Sequence, residues 1–262
     1  KVRGMDQFKS DDEFANANLI RKPNGIYIHV TIYRNSDPII RKGQALGIDF
    51  GLKDNLILSN GLTVNTRLEE TERLKFLQRK LARQEKGSNN WCKTKIAIQR
   101  EYQKNDNQKI EATNQFINYV KTEFKYIFFQ DENLSAWRRR SGYVRGGRKI
   151  QYSIMGRVKQ KLQKLDGAFM LPKYVPTTAW CPICGNKTKH TVDKRTFSCP
   201  YCGHKLNRDI HSALNMVILG VSCATEHSAS KKEIVKFFEE GLKTLVSKEE
   251  LTEADAIALV LS

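Results

Sequence analysis

The 262-residue chain has little of what would send it to a membrane. No stretch approaches the roughly 20 uninterrupted apolar residues of a bilayer span, and no basic leader precedes a short apolar core and cleavage site. A soluble, intracellular protein is the expectation. No internal repeat of fixed period is present, which sets aside a stacked-repeat architecture. Acid is scarce: 28 Asp and Glu face 45 Lys and Arg, for a formal charge of +17, so the surface field is positive and the natural partner is a polyanion. The shortage is uneven. Residues 223–262 hold 5 Lys and 8 acids, so the first 222 residues carry +20 and the tail −3. What the chain does have is 40% apolar residues, enough for one large or two modest domains. It begins at Lys1, and its first 25 residues contain no complete amphipathic unit, as expected of part of a larger protein.

Residues 25–33, Gly-Ile-Tyr-Ile-His-Val-Thr-Ile-Tyr, alternate with period two. Ile26, Ile28, Val30 and Ile32 share a face, which predicts a half-buried strand. Residues 45–51 and 55–59 read as two more strands, and Asn60-Gly61 is a hairpin signal; an antiparallel meander results, with Asp49 on its first strand. Thr66 and Glu69 form a capping box ahead of Leu68, Leu74, Leu77 and Leu81 at helical spacing, with a stop near Gly87. A second helical run, Ile110 to Phe124, leads into residues 126–130, apolar on both faces and so a buried strand. Glu132 sits just past its end. A basic helix with Arg157, Lys159, Lys161 and Lys164 and a short strand at 169–171 follow. Asn207 is a good N-cap for a helix with Ile210, Leu214, Val217 and Ile218 on its apolar face, and the runs 231–245 and 248–261 predict a helical tail.

Four of the six cysteines form two pairs, Cys181-Pro-Ile-Cys184 and Cys199-Pro-Tyr-Cys202, 14 residues apart, each followed by a glycine. Two such knuckles supply four soft ligands in a tetrahedron, the geometry of structural zinc; buried free thiols or two disulfides are the bland alternative. Four thiolates leave no open position, so this metal holds structure. Asp49 lies mid-strand among apolar neighbours, a poor place for a charge without a cation. Taken singly, Asp49 could cap a turn, Glu132 could be a solvated loop acid, and Asp209 could be a helix-dipole acid. Together, three carboxylates on separate elements can converge on a pair of Mg²⁺ ions that align a phosphodiester for hydrolysis.

Residues 47–51 (Gly-Ile-Asp-Phe-Gly), 131–134 (Asp-Glu-Asn-Leu) and 207–209 (Asn-Arg-Asp), in that order and with the cysteine ribbon directly before the third, resemble the split RuvC nuclease of TnpB-type transposon proteins and type V CRISPR effectors. The resemblance covers about residues 20–222. It implies an α/β, RNase H-like (RuvC) fold: a mixed sheet flanked by helices, with an inserted four-cysteine zinc ribbon and a C-terminal helical tail. It divides the chain into the end of a guide-RNA-binding wedge domain (1–44), a RuvC nuclease (45–175), a zinc-ribbon target-nucleic-acid-binding domain (176–206), the third RuvC motif (207–222) and the acidic tail (223–262). The implied activity is RNA-guided DNA cleavage in the prokaryotic cytoplasm, with guide RNA and target DNA as partners, two catalytic Mg²⁺ and one structural Zn²⁺. Asp49, Glu132 and Asp209 match the family's catalytic acids, and Cys181, Cys184, Cys199 and Cys202 its ribbon. Asp131 competes with Glu132, but the Glu-x-Leu pattern favours Glu132.

Arg138, Arg139, Arg140, Arg145, Arg148 and Lys149 form a glycine-interrupted run without an acid, which reads as strand guidance beside a phosphodiester site or as a solvated face. Arg208, next to Asp209, joins this set. Tyr143, Trp137 and Trp180 are candidates to stack bases, with core burial the competing reading for Trp137 and ribbon support for Trp180. His190 and His204 read as surface or nucleic-acid contacts, Cys92 and Cys223 as ordinary thiols. Two rivals stand beside the nuclease: an inactive effector that binds guide and target without cutting, and a guide-independent resolvase or transposase.

Overall fold

The computed structural model describes residues 3–34, 44–66, 68–139, 150–173, 175–188 and 195–224. The chain divides into two compact units, with one boundary at Gln108. The predicted helical tail, His190, Tyr143, and the run from Arg140 through Lys149 lie outside the described residues.

The first unit pairs β1 (Glu13–Lys22) with β2 (Gly25–Tyr33) in an antiparallel ribbon, Ala17 opposite Val30 and Ile20 opposite Tyr27. The strand predicted at 25–33 is present, and its apolar face is half-buried only at the far end: Val30 and Ile32 are partly covered, whereas Ile26 is 69% and Ile28 51% exposed. Period-two patterning reports which face is apolar, not whether a second layer covers it. Helix α1 (Glu72–Ala82) begins later than the capping box at Thr66 and Glu69 predicts. Thr71 is its N-cap, with Oγ1 accepting from the Leu74 N–H at 3.2 Å. Leu68 stays outside the helix because its N–H donates to the carbonyl of Tyr152. Helix α2 (Asn89–Glu123) starts about twenty residues before the predicted apolar run. Its first two-thirds are mostly polar, so no stripe announces them.

The second unit is built on a mixed sheet of order β5-β4-β3-β6-β7. β3 (Gln44–Phe50), β4 (Leu56–Leu58) and β5 (Thr63–Val64) form the expected antiparallel meander. β6 (Phe124–Gln130) lies parallel to β3 and to β7 (Ala168–Leu171), with Ile48 opposite Phe129 and Gln130 opposite Leu171. Short α3 (Leu134–Arg139) and basic α4 (Met155–Leu162) follow β6. The ribbon pairs β8 (Thr196–Ser198) with β9 (Lys205–Asn207), and α5 (Arg208–Ala224) closes the described chain.

Helices cover both faces of the sheet, as expected. Leu46, Ile48, Phe50, Ile127 and Phe129 face one way and pack with Phe116, Ile117 and Val120 of α2 and Met155, Val158 and Leu162 of α4. Each fully buried side chain of this size contributes about 1.5–3 kcal/mol. The opposite face, with Phe128 and Leu171, meets Met216, Val217 and Leu219 of α5. Trp137 packs against the first core and Trp180 is 5% exposed within the second, so burial, not base stacking, describes Trp180.

Candidate functional site

The site begins with a residue that has no side chain. A β-carbon on Gly47 would stand 1.8 Å from the carbonyl oxygen of Ala213, so α5 can lie directly on β3 only because position 47 is glycine. Two strand residues advance about 6.6 Å and four helix residues about 6 Å. Asp49, two residues along β3 on the same face as Gly47, is therefore brought toward Asp209, four residues before Ala213 in the first turn of α5. Asn207 fixes that turn: its Oδ1 accepts from the N–H groups of Asp209 (2.9 Å) and Ile210 (3.4 Å), as the predicted N-cap requires.

β6 delivers the third acid. Gln130 extends the ladder to β7, and its side-chain amide points at the carbonyls of Pro172, Lys173 and Val175, at 3.2, 3.0 and 2.8 Å. This pins the loop after β7 beside residue 132. The Asp131 carboxylate is paired with Lys159 Nζ at 2.5 Å, and the same ammonium donates to the Glu132 carbonyl at 2.8 Å. The Glu132 carboxyl is raised by burial, opposed by the charges of Lys173 and Lys159.

Asp49 feels the other two acids. Burial, then the charges of Asp209 and Glu132, push the half-buried Asp49 up to about 8, against a backbone hydrogen bond from Phe50 and the Arg208 charge. An acid so raised is a site short of positive charge. Asp209 is flanked by arginines: Arg208 Nη2 lies 3.3 Å from Oδ1, and Arg195 Nη1 3.7 Å from Oδ2. Carboxylate oxygens gathered around a half-buried, raised Asp49 suit a hard divalent cation. They are spread more widely than the sulfur site: among the described residues, the group of three or more Cys, His, Asp or Glu whose ligand atoms all lie within 4.8 Å is the four cysteines.

That sulfur site is assembled by two like knuckles. Gly185 N donates to Cys181 O and Gly203 N to Cys199 O, each at 3.0 Å. Both glycines have positive φ, 68° and 73°, a conformation that β-carbons disfavour. Cys181 Sγ and Cys202 Sγ lie 3.6 Å apart, Cys184 Sγ and Cys199 Sγ 3.5 Å. A tetrahedron with Zn–S of about 2.3 Å has edges of about 3.8 Å, whereas a disulfide bond is about 2.05 Å. The cysteines are free and spaced for a metal, and the disulfide alternative is excluded. Burial raises the Cys181 thiol. Burial also opposes ionisation of Cys184, but hydrogen bonds from Asn186 and the neighbouring thiols outweigh it and bring that group to about 7. His204 is half-buried and serves through its backbone, its carbonyl accepting from Cys199 N at 2.8 Å.

Arg138 and Arg139 end α3, two turns or fewer beyond Glu132. Arg208 opens α5 against Asp209. The residues that sequence reasoning did not assign are Lys173, Arg195 and Gln130, together with the pairing of Lys159 to Asp131. Each acts through a neighbour distant in sequence, and only the basic helix carrying Lys159 left a signal.

The Cas12f1-like TNB domain family matches residues 152–216. The chain is 25% identical over 205 residues to the "Putative RNA-guided DNA endonuclease InsQ" of Escherichia coli K12, covering 71% of this chain and 51% of that protein. The chain thus spans about half the length of the curated relative it matches. The cryo-EM structure of the Cas12f1-sgRNA-target DNA complex aligns with 74% of this chain and 42% of its own, at 18% identity and a TM-score of 0.40. These matches bear out the resemblance to the TnpB-type and type V CRISPR effector family. The matched residues 152–216 hold all four cysteines and Asp209, while Asp49 and Glu132 lie before them. Among the described residues, no helix is long and apolar enough to cross a membrane.

Proposed function

We propose that this chain is the nuclease portion of an RNA-guided DNA endonuclease, a RuvC-type centre that hydrolyses target DNA with Asp49, Glu132 and Asp209. The observation that carries the reading is the meeting of carboxylates from separate elements: the contact of Gly47 with the Ala213 carbonyl lays the N-terminal end of α5, with Asp209, along the strand of Asp49, whose carboxyl is raised by burial first and then by the charges of Asp209 and Glu132. The resemblance to InsQ and to the Cas12f1-like domain family supports guide RNA and target DNA as partners, acting in the prokaryotic cytoplasm. The five-part domain division given by the motifs, from the wedge end to the tail, is part of the proposal.

The three carboxylates would hold two Mg²⁺ ions, which supply Lewis acidity to the attacking water and the leaving oxygen of a phosphodiester. The chain's own residues set the rest. Lys159 occupies Asp131 and so keeps it from competing with Glu132. Arg195 and Arg208 offset the Asp209 charge and give a phosphate two guanidinium groups to approach. Arg138, Arg139, Arg140, Arg145, Arg148 and Lys149 guide the strand through charge. Cys181, Cys184, Cys199 and Cys202 would bind one Zn²⁺, holding the ribbon next to α5.

The test is the full-length protein isolated from its host, with its copurifying RNA sequenced and a matching DNA duplex supplied with Mg²⁺. Cleavage is expected, and Asp49→Ala should abolish it while leaving nucleic-acid binding nearly intact. Binding of guide and target by the wild type without any nick would overturn the nuclease reading. Cleavage with no discrete RNA would identify a guide-independent enzyme instead.

A further inference from the structure

The ribbon and the third carboxylate are joined by more than sequence. Phe197 is fully buried in the ribbon's small core, against Cys181 and Cys199. Its ring stacks on His211, centroids 3.7 Å apart and planes 18° from parallel. His211 is itself fully buried and lies two residues past Asp209. One turn on, Asn215 Nδ2 is 3.5 Å from His211 Nε2 and donates to the carbonyls of Thr177 (2.6 Å) and Trp180 (2.8 Å), in the segment that runs into Cys181. Ser212 Oγ and Thr177 Oγ1 are 2.9 Å apart. On the outgoing side, Thr196 pairs with Asn207, and Arg208 N donates to Arg195 O at 2.8 Å. The first turn of α5 is thus tied to both ends of the ribbon, with His211 at the centre.

We infer that His211 is a positioning residue that couples the metal state of the four-cysteine ribbon to Asp209. Two of the groups that enclose Phe197 are metal ligands, so the ring is held firmly only while the four thiolates are gathered. β8 and β9 are three-residue strands, too short to hold the core alone. Metal loading fixes Phe197, the stack fixes His211, and His211 fixes the helical turn that presents Asp209. The functional weight of this coupling rests on the reading of Asp209 as a catalytic acid; the coupling itself is carried by the packing of Phe197 on His211.

Amide hydrogen exchange on the full chain, followed in peptides covering residues 207–213, tests it. These contain the Asp209 and Ile210 N–H groups that Asn207 caps. Chelating the ribbon metal should speed their exchange by about tenfold, the scale of one aromatic contact of roughly 1.4 kcal/mol. His211→Ala should produce the same acceleration with zinc still bound, and chelation should then add little. His211→Phe, which keeps a ring on Phe197, should restore slow, metal-dependent exchange. Phe197→Leu, which keeps the ribbon core apolar, should accelerate exchange like His211→Ala and decides the matter if the alanine variant loses zinc. Zinc-loaded variants exchanging like the wild type, or a chelation effect undiminished in His211→Ala, would overturn the coupling. Failure of the nuclease reading appears separately, as absence of cleavage by the wild type with the exchange pattern intact.

Discussion

The carbonyl oxygen of Ala213 occupies the space beside Gly47 where any other residue would place its β-carbon, 1.8 Å away. This contact sets the register between β3 and α5, and with it the approach of Asp49 to Asp209. Gly47→Ala should therefore separate helix from strand, because the obstructing atom is backbone and cannot rotate aside. A loss of about 3 kcal/mol or more is expected, the upper range for core overpacking. Gly156, near the start of α4, is the control: nothing lies within 4 Å of its β-carbon position, so Gly156→Ala should stabilise by about 0.5–1 kcal/mol. Urea denaturation of both variants checks the pair, and equal stabilities would refute the packing argument.

Asp49 predicts the pH dependence of the metal-free protein. Its carboxyl is raised to about 8 by burial and by Asp209 and Glu132, so the folded state holds a proton that the unfolded chain releases near pH 4. Stability is full below that value and is lost as pH rises toward about 8, by up to about 1.4 kcal/mol per pH unit. Asp49→Asn should flatten this decline and be more stable than the wild type at pH 8 in chelator. Denaturation midpoints between pH 5 and 9 measure it. A wild type that gains stability over that window would show that Asp49 ionises freely.

The four-cysteine site predicts one zinc per chain. Its knuckles are closed by backbone bonds to Cys181 and Cys199, but among the described residues the core beneath them is small: Phe197 with Ile183 and its cysteine neighbours. Metal ligation in sites of this kind supplies on the order of 10 kcal/mol of folding free energy. Cys181→Ser should lose the metal and melt the ribbon, read by metal analysis and by the loss of slow amides at 196–198 and 205–207. A metal-free protein with an intact ribbon would contradict this.

What the sequence made legible follows from how local each signal is. The meander around Asn60-Gly61, the buried strand before Glu132, the Asn207 cap and the cysteine knuckles depend on neighbours a few residues away, and all four stand as read. The start of α1 is ambiguous in the sequence because two threonines, Thr66 and Thr71, both precede leucines at helical spacing, and a distant carbonyl, Tyr152, draws Leu68 away. The first part of α2 carries no apolar stripe and so gives no periodic signal. At the site, the acids were visible as carboxylates in unlikely company, but their cations were not. Lys159, Lys173 and Arg195 sit among many basic residues, and only the fold decides which of them meets Asp131, Glu132 or Asp209.

Adjacent acids 131 and 132 give the sharpest division of roles. Asp131 already has a cation, Lys159 Nζ at 2.5 Å, and its side chain is 46% exposed. Glu132 is raised by burial and adds to the field on Asp49. Asp131→Asn removes one partly exposed ion pair and should cost about 0–1 kcal/mol of stability, with cleavage within a few-fold of wild type. Glu132→Gln removes a ligand charge from the proposed magnesium site. A loss of at least about a hundredfold in cleavage rate is expected, since the charge stabilisation at stake is several kcal/mol and each 1.36 kcal/mol is tenfold. Binding of guide and target by the Gln variant should persist, which separates lost chemistry from lost folding. If Asp131→Asn is the inactive variant and Glu132→Gln cuts normally, Asp131 is the ligand and Lys159 its resting counter-ion.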